Sequence, residues 1–233
     1  MSLHRIHAEN WGGDVATHYP DEAARIAMIT ARLAERAEQV ITLQEVSGDQ
    51  LAALRAALPG RTFHSLRYPR VPRPRTDAPF PLHDPAEHLV LLVDGPSRMI
   101  AADAFPDDPG KGVLVIEAAG TVVVATHLTG DARSAGQLAR LAESARTEAG
   151  RPAVLLGDFN ADRRTVLSAL GAEFDIPALP DDGPPTRPFT SAEGSPGKWI
   201  DHVVVRAATV TDAQVVPVGG LSDHNLVRAV VQN

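Results

Sequence analysis

The stretch that decides the fold is Arg151-Pro152-Ala153-Val154-Leu155-Leu156-Gly157-Asp158-Phe159-Asn160-Ala161-Asp162. Its apolar run predicts a buried strand that ends at Gly157, and a helical pattern resumes after Asp162. Asp158 and Asn160 therefore lie where a strand runs out into a turn, the edge at which open α/β sheets usually place their chemistry. Because side chains alternate along a strand, both residues can face one ligand.

Two interpretations of this pair are open. A carboxylate can hold a hard cation or take a proton from water, and a carboxamide can donate to a phosphate oxygen. Asp and Asn also favour turns and helix starts for backbone reasons alone. An isolated Gly-Asp-x-Asn pattern does not decide between a functional site and a simple turn, so the rest of the chain must do so.

The composition is that of an ordinary globular protein. Its 233 residues fit one α/β domain, and with 44% hydrophobic but only 4% aromatic residues, Ala, Val and Leu must do most of the packing. The 22 basic and 29 acidic residues give a net charge of −7. This charge argues against binding nucleic acid by overall charge alone, but a local basic patch could still bind phosphates. The absence of cysteine excludes disulfides and thiolate metal sites.

The sequence contains no signal for membrane insertion. No apolar run approaches the roughly 18 residues of a membrane span, and residues 1–20 lack the apolar core of a signal peptide. We therefore expect a soluble, cytoplasmic protein with no membrane partner, and we expect a monomer.

The N-terminal half alternates predicted strands and helices. Residues 3–11 are predicted to form a first strand that ends at Asn10. A helical pattern opens at Asp21, where acids in the first turn complement the helix dipole. The buried strand 40–43 follows and ends at Gln44-Glu45. Further strands are predicted at 61–66, 88–93, 98–102, 113–117, 121–126, 199–206, 213–218 and 225–231, and further helices at 49–58, 131–149 and 163–170.

Two proline-rich segments interrupt this alternation. Residues 67–85 carry six prolines and four arginines, so they can form neither a helix nor an inner strand. They form either a long surface loop near the site or a linker, and their arginines either clamp an anionic substrate or are merely solvated. Residues 175–198 form a second loop of this kind.

Polar residues capable of catalysis cluster at the predicted strand ends. Taken singly, each of these residues could have a purely structural role, such as capping a turn or hydrogen bonding to the backbone. A set of this size is much harder to explain without a shared function. The residues are Asn10, Glu45, His127, Asp158, Asn160, Asp201, Asp223 and His224.

These residues belong to motifs that follow one another along nearly the whole chain: Asn10, Gln44-Glu45, Thr126-His127-Leu128, Gly157-Asp158-Phe159-Asn160, Ile200-Asp201-His202 and Ser222-Asp223-His224. In this order the chain resembles the endonuclease/exonuclease/phosphatase superfamily of DNase I-like, metal-dependent phosphoesterases. The resemblance implies a single domain over residues 1–233, folded as a four-layer α-β-β-α sandwich of two mixed β-sheets. The active site would lie at one rim, where loops from both sheets meet.

The resemblance also implies a role for each residue. Glu45 would be the principal ligand of Mg²⁺ or Mn²⁺, with Asn10 and Asp223 as further ligands or close neighbours, and an oxygen-rich site without thiolates suits these ions. Asp158 would orient or deprotonate the attacking water. Asn160 would hold a non-bridging phosphate oxygen.

The histidines would handle protons and charge at the phosphate. His224, oriented by Asp201, would act as general base or as the donor facing the scissile phosphate. His127 would donate to the phosphoryl oxygens, with Glu87 as the partner of its second nitrogen. An arginine clamp for the substrate would consist of Arg70, Arg73 and Arg75.

Three functions follow from this assignment. The first is hydrolysis of a phosphate mono- or diester in a small or medium phosphorylated molecule, which the acidic balance and the absence of a long basic stretch favour. The second is a DNA or RNA nuclease, which the arginines of residues 67–75 would support. The third is a non-catalytic binding protein, against which the retention of every principal catalytic residue type argues. Tyr68 is the only candidate for the tyrosine-rich segment of apurinic endonucleases, which places abasic-site repair in doubt.

Overall fold

A computed structural model of the protein describes residues 3–10, 15–75, 82–146, 150–188 and 197–232. The helices within these ranges are α1 (Arg5–Asn10), α2 (Val15–His18), α3 (Glu22–Ala34), α4 (Gly48–Ala57), α5 (Ser134–Ala145) and α6 (Arg163–Leu170). The strands are β1 (Val40–Ser47), β2 (Thr62–Arg67), β3 (Glu87–Val93), β4 (Ser97–Phe105), β5 (Asp108–Ala118), β6 (Thr121–His127), β7 (Ala153–Asp158), β8 (Phe174–Asp175), β9 (Asp201–Arg206), β10 (Thr209–Val216) and β11 (Leu226–Gln232).

The larger sheet is mixed and has six strands in the order β4-β5-β6-β7-β9-β8. Among the described strands, β6 and β7 form its parallel pair, and its other neighbours are antiparallel. A second layer of strands consists of the antiparallel sheet β1-β3-β2 and the separate antiparallel pair β10-β11. The second layer is thus antiparallel where the resemblance implied a second mixed sheet.

The hydrophobic clusters show four layers. Helices α3 and α4 cover the outer face of β1 and β3. The inner face of the three-stranded sheet packs against β5 and β6, and β10-β11 covers β7 and β9. Helices α5 and α6 cover the outer face of the six-stranded sheet. The predicted α-β-β-α sandwich is therefore confirmed.

Local sequence explains where the helices begin. The side chain of Asp21 caps α3 by accepting from the backbone N–H of Ala24 at 3.2 Å. Ser47 and Gln50 form a reciprocal capping box at the start of α4. Asp162 caps α6 by accepting from the N–H of Thr165 at 2.8 Å. These helices, and α5 within the predicted range 131–149, agree with the sequence-based predictions.

The predicted first strand at residues 3–11 is wrong, because Arg5–Asn10 form a helix. Leu3 and Ile6 are buried with helical spacing, and Arg5 pairs with Glu9 one turn later at 2.5 Å. These i, i+3 and i, i+4 relationships are typical of a helix and not of a strand. Trp11, at the end of the predicted strand, lies outside the described residues.

The proline-rich segment 67–85 begins at the last residue of β2 and ends before β3 of the same sheet, so it does not link two domains. Residues 76–81 lie outside the described residues. Its described residues after β2, 68–75 and 82–86, contain no helix or strand. None of the helices in the described part of the chain combines the length and hydrophobicity needed to cross a membrane.

Candidate active site

Three polar residues form a row across the six-stranded sheet. His127 at the end of β6 pairs in register with Asp158 at the end of β7, and Asp158 pairs with Asp201 at the start of β9. Residues paired in register project to the same face of a sheet. Side chains two residues away, such as Ala125 and Val203, lie on the face toward the second layer of strands. The row therefore continues the inner face of the sandwich to its rim.

Gly157 allows β7 to approach β6 closely at this point. Its φ is +144°, and a Cβ atom added there would lie 2.0 Å from the carbonyl oxygen of Thr126. Such a distance is incompatible with any larger residue. The glycine before Asp158 thus holds Asp158 beside His127.

Glu45 reaches the same rim from the opposite sheet through a β-bulge in β1. Leu43 pairs with Val90 and Val46 with His88, so one extra residue is accommodated between these pairs. Glu45 has φ +53°, a left-handed conformation that is costly for a residue with a long side chain. β1 continues through the bulge to Ser47, beyond the predicted end of the strand. The bulge turns the side chain of Glu45 toward the rim.

The side chains form a connected chain of contacts across the rim. Oε1 of Glu45 lies 3.8 Å from Nε2 of His127, which lies 3.4 Å from Oδ2 of Asp158. The same Asp158 oxygen lies 4.0 Å from Nε2 of His224. Nδ1 of His224 is hydrogen-bonded to Oδ2 of Asp201 at 2.8 Å. The structure thus brings together five of the predicted site residues.

The two central carboxylates are buried among cationic groups. Burial raises the pKa of Glu45, but His7, His127 and Lys111 outweigh it and lower the pKa to about 2. Burial also opposes ionisation of Asp158, yet the hydrogen bond and charge of His127 bring its pKa well below the usual range. Both groups are therefore anionic at neutral pH.

His224 is in the opposite situation. Burial lowers the pKa of this imidazole, but Asp201 and Asp223 raise it to about 9. His224 therefore carries a positive charge at neutral pH, which favours the predicted role of donor over that of general base. The pKa of Asp223 is raised by burial and by Glu45, although His224 and Arg187 act in the other direction. Arg187, which sequence reasoning left in a loop, lies 3.5 Å from Asp223.

Asn160 is oriented by the turn after β7. Its backbone N–H donates to Oδ1 of Asp158 at 2.8 Å, and its Nδ2 donates to the carbonyl oxygen of Leu128 at 2.8 Å. Its φ of +49° is one that Asn tolerates better than most residues. Asp158 and Asn160 therefore share one turn at the rim, as the Gly-Asp-x-Asn pattern predicted, and this turn is also an Asx turn.

Glu87 is not the partner of His127 that the resemblance implied. Oε2 of Glu87 lies 3.1 Å from Nε2 of His7, a residue of α1 that sequence reasoning missed. Nδ1 of His7 lies 4.0 Å from Oε1 of Glu45. Burial lowers the pKa of His7, but Glu45 and Glu87 together raise it. The imidazole of His7 therefore links the two glutamates, and only tertiary structure reveals it.

Lys111 is the second residue that sequence reasoning missed. Its Nζ contacts Nε2 of His127, lies 3.3 Å from Nδ1 of the same ring, and lies 4.0 Å from Oε1 of Glu45. A signal was present, because the turn at Ala119-Gly120 sets the register of β5 and β6 and pairs Gly112 with His127. Extending that register would have placed Lys111 beside the site.

The remaining predicted residues lie around the rim. Asn10 accepts from the N–H of Arg75 at 3.0 Å and donates to the carbonyl oxygen of Arg73 at 2.9 Å. Its described contacts are thus with the 68–75 loop rather than with Glu45. Nη1 of Arg70 lies 3.4 Å from Oδ1 of Asp108, and its side chain is 41% exposed. Arg70 therefore lies near the start of β5, which carries Lys111, whereas Arg73 and Arg75 are in contact with Asn10.

The donor groups fit a divalent cation. Carboxylate and imidazole atoms lie within 4.8 Å of one another in two sets, His7–Glu45–Glu87 and Asp158–Asp201–His224. In addition, Oε1 of Glu87 and Oδ1 of Asp201 are buried without a hydrogen-bond partner among the described atoms. Buried carboxyl oxygens of this kind suit hard cations.

Solved structures with the same architecture share little sequence with this chain. TDP2 of D. rerio, in a structure complexed with a single strand DNA product, aligns with a TM-score of 0.69 at 14% identity over 91% of this chain and 93% of that chain. The endonuclease/exonuclease/phosphatase from Bacteroides vulgatus aligns with a TM-score of 0.67 at 16% identity over 90% of each chain. The one from Beutenbergia cavernae aligns with a TM-score of 0.64 at 22% identity, over 91% of this chain and 66% of that chain.

The sequence comparison is more decisive about ancestry. No curated protein sequence matches the chain. The profile of the Endonuclease/Exonuclease/phosphatase family, however, matches residues 11–224, a range that includes all the polar strand-end motifs after Asn10. The chain therefore belongs to the Endonuclease/Exonuclease/phosphatase family.

Proposed function

We propose that the protein is a divalent-metal-dependent phosphoesterase that hydrolyses a phosphate ester by attack of an activated water. The observation that carries this proposal is the convergence of Glu45, Asp158 and His224, which come from three distant parts of the chain. Glu45 and Asp158 lie 3.8 and 3.4 Å from His127, and His224 lies 4.0 Å from Asp158. Members of the family are generally phosphoester hydrolases.

The cation is proposed to be Mg²⁺ or Mn²⁺, with Glu45 as its principal ligand. Glu87 and His7 would help Glu45 to hold the cation. Asp223 also lies near, because the charge of Glu45 raises the pKa of Asp223. When bound, the cation would polarise the phosphoryl group and offset negative charge on the reacting oxygens. Hard oxygen ligands favour these two ions over softer metals.

The chain's own groups would position the water and the phosphate. Asp158, held by the N–H of Asn160, would orient the attacking water and take its proton as the new P–O bond forms. In the same step the P–O bond to the ester oxygen would break, and the leaving oxygen would take a proton from solvent. His224, protonated by its setting between Asp201 and Asp223, would donate from Nε2 to a non-bridging oxygen. His127 and Lys111 would compensate the charge of the other oxygens.

The substrate is proposed to be a small or medium phosphorylated molecule, as the net charge of −7 favours. A second candidate is a nucleic acid, which a specific observation supports. The side chains of Arg70 and Arg133 are 41% and 43% exposed, and the guanidinium groups of both approach Asp108 at the start of the strand that carries Lys111. A structural neighbour, TDP2 of D. rerio, was solved with a single strand DNA product.

Metal-dependent turnover tests the proposed function. Purified protein would be assayed on nucleotides, sugar phosphates and inositol phosphates with Mg²⁺ or Mn²⁺, and after EDTA. We expect EDTA to abolish phosphate release and added metal to restore it. Glu45→Gln should lower kcat on the order of 10²–10⁴-fold, whereas Glu117→Gln, a surface residue paired with Arg98, should leave it unchanged. Full activity of Glu45→Gln at saturating metal would contradict the assignment.

Parallel assays separate the two substrate classes. Nicking of supercoiled plasmid or shortening of a labelled oligonucleotide would favour nucleic acid. In that case Arg70→Gln and Arg133→Gln should each reduce the slope of log affinity against log salt concentration by about one. Activity confined to small phosphate esters, with salt-independent KM, would favour the first class.

A further inference from the structure

The loop between β10 and β11, residues 217–225, carries Asp223 and His224. It contains no helix or strand, and Gly219 and Gly220 have φ values of +65° and +78°. Two consecutive glycines in this conformation give a turn little stiffness of its own. The position of His224 must therefore depend on contacts with the rest of the fold.

Three side chains from residues 19–32 donate to alternate carbonyl groups of this loop. Nη2 of Arg32 donates to Pro217 at 2.5 Å, the hydroxyl of Tyr19 donates to Gly219 at 2.8 Å, and Nη1 of Arg25 donates to Leu221 at 2.6 Å. Donors spaced in this way bind the loop on both sides of the two glycines. We call Tyr19, Arg25 and Arg32 the loop anchors.

Arg25 is the most buried anchor, with 1% of its surface exposed. Its guanidinium is held by Glu22 at 2.7 Å, and its second terminal nitrogen donates to the carbonyl oxygen of Leu3 at 2.7 Å. The N–H of Leu3 in turn donates to the carbonyl oxygen of Gln44 at 3.0 Å, next to Glu45. The guanidinium of Arg25 thus connects the loop that carries His224 with Leu3, which is hydrogen-bonded to the residue before Glu45.

The other end of the loop is closed by Asn225. The N–H of Val218 donates to Oδ1 of Asn225 at 3.2 Å, and the N–H of Asn225 donates to the carbonyl oxygen of Thr186 at 2.7 Å. Between these points the N–H of His224 donates to Oγ of Ser222 at 3.0 Å. The loop is therefore held at Pro217, at Leu221 and at Asn225, and His224 lies between the last two of these points.

We propose that the loop anchors are positioning residues, which set the place of His224 relative to Asp158 without touching the substrate. This inference rests on the proposed function only for its effect on turnover. Displacing a catalytic group by about 1 Å can cost on the order of 10² in rate. The contribution of the anchors should therefore appear in kcat much more than in KM.

Two variants and one control test this inference. Tyr19→Phe removes only the hydroxyl, and Arg25→Lys keeps the charge beside Glu22 but cannot serve both Leu3 and Leu221 with the same geometry. Arg61→Lys is the matched control, because the guanidinium of Arg61 also bridges two carbonyl groups, those of Glu38 and Arg36, each at 2.8 Å. Those carbonyls precede β1, at the end of the strand away from Glu45.

In steady-state assays we expect kcat to fall about 3–10-fold in Tyr19→Phe and about 10–100-fold in Arg25→Lys, with KM within about twofold of wild type. Arg61→Lys should keep wild-type kcat. The inference is overturned if both anchor variants keep wild-type kcat, if the loss matches a smaller folded fraction measured by circular dichroism, or if the control loses as much.

A second measurement does not depend on turnover. Amide hydrogen exchange of residues 221–225, followed by NMR in metal-free protein, should be at least about tenfold faster in Arg25→Lys than in Arg61→Lys, and the ring signals of His224 should shift in the anchor variants alone. Unchanged exchange and unchanged His224 signals would overturn the anchoring role. If the wild type proves inactive on phosphate esters, the proposed function fails, and this measurement alone decides the inference.

Discussion

Nδ1 of His224 lies 2.8 Å from Oδ2 of Asp201, and both side chains are buried. The pair joins the start of β9 to the loop before β11, so it also joins the two layers of strands at the rim. It directs Nε2 of His224 toward Asp158, 4.0 Å away. The charge and direction of this imidazole are therefore set by a contact between residues 23 positions apart in sequence.

Replacing Asp201 should change the charge state of His224. In Asp201→Asn we expect the pKa of His224 to fall from about 9 toward its ordinary value, because the largest favourable charge is lost. NMR titration of the His224 ring measures this directly. In the proposed mechanism kcat should also fall on the order of 10²–10⁴-fold, as when the orienting acid of a catalytic dyad is made neutral. An unchanged titration would show that Asp201 does not set the charge.

The raised pKa of His224 also predicts how the free energy of unfolding depends on pH. Because the pKa of His224 is raised in the folded protein, its ionisation contributes stability that is fully present below about 6.5 and is lost as the pH rises through about 9. Urea unfolding of wild type and His224→Gln in EDTA should show a difference in unfolding free energy that shrinks by on the order of 3 kcal/mol over this window. His64→Gln, whose imidazole bonds to Ser97 away from the site, serves as the control. A constant difference across the window would contradict the raised pKa.

Lys111 should contribute to turnover rather than to substrate binding. Its ammonium group lies beside His127 and 4.0 Å from Glu45, where negative charge would build up on the phosphoryl oxygens. We expect Lys111→Met to lower kcat about 10²–10³-fold, with a much smaller change in KM. Lys111→Arg should recover part of the loss because it keeps the charge. Equal losses in both variants, or a loss confined to KM, would argue for a packing or binding role instead.

The turn between β5 and β6 offers a test of stability away from the chemistry. Ala119 and Gly120 both have positive φ, +48° and +78°, which describes a type I′ turn that favours Asn-Gly. Ala119→Asn should therefore raise the free energy of unfolding by about 0.5–1 kcal/mol. This corresponds to about 1–4 °C in Tm for a chain of this size. Ala119→Val should lower Tm instead, and the reverse order would exclude this turn geometry.

Much of the site could be predicted because its motifs end strands with strong local patterns. The apolar runs before Gly157 and before Thr126-His127 each define a strand, and the polar residue that follows each run lies at its end. The hairpin at Ala119-Gly120 follows from the short turn between two apolar runs. In each case neighbouring residues in sequence determine the geometry.

Other features have no such local signal. The bulge that redirects Glu45 depends on how β1 pairs with β3, more than 40 positions away. His7 contacts Glu45 and Glu87 from a helix that its sequence did not distinguish from a strand. The partner expected for His127, Glu87, is bonded to His7 instead.

By itself the sequence determined the order of most strands and helices, the four-layer architecture through its resemblance to a family, and the identity of most polar residues at the rim. Burial patterns and turn residues depend on short stretches of chain, so these could be recognised from neighbours alone. Only the tertiary structure decided which of these residues are in contact, which cations surround Glu45, and why His224 is protonated. Those properties arise from charges and hydrogen-bonding groups that meet across two sheets, and their interaction depends on distances that no local pattern encodes.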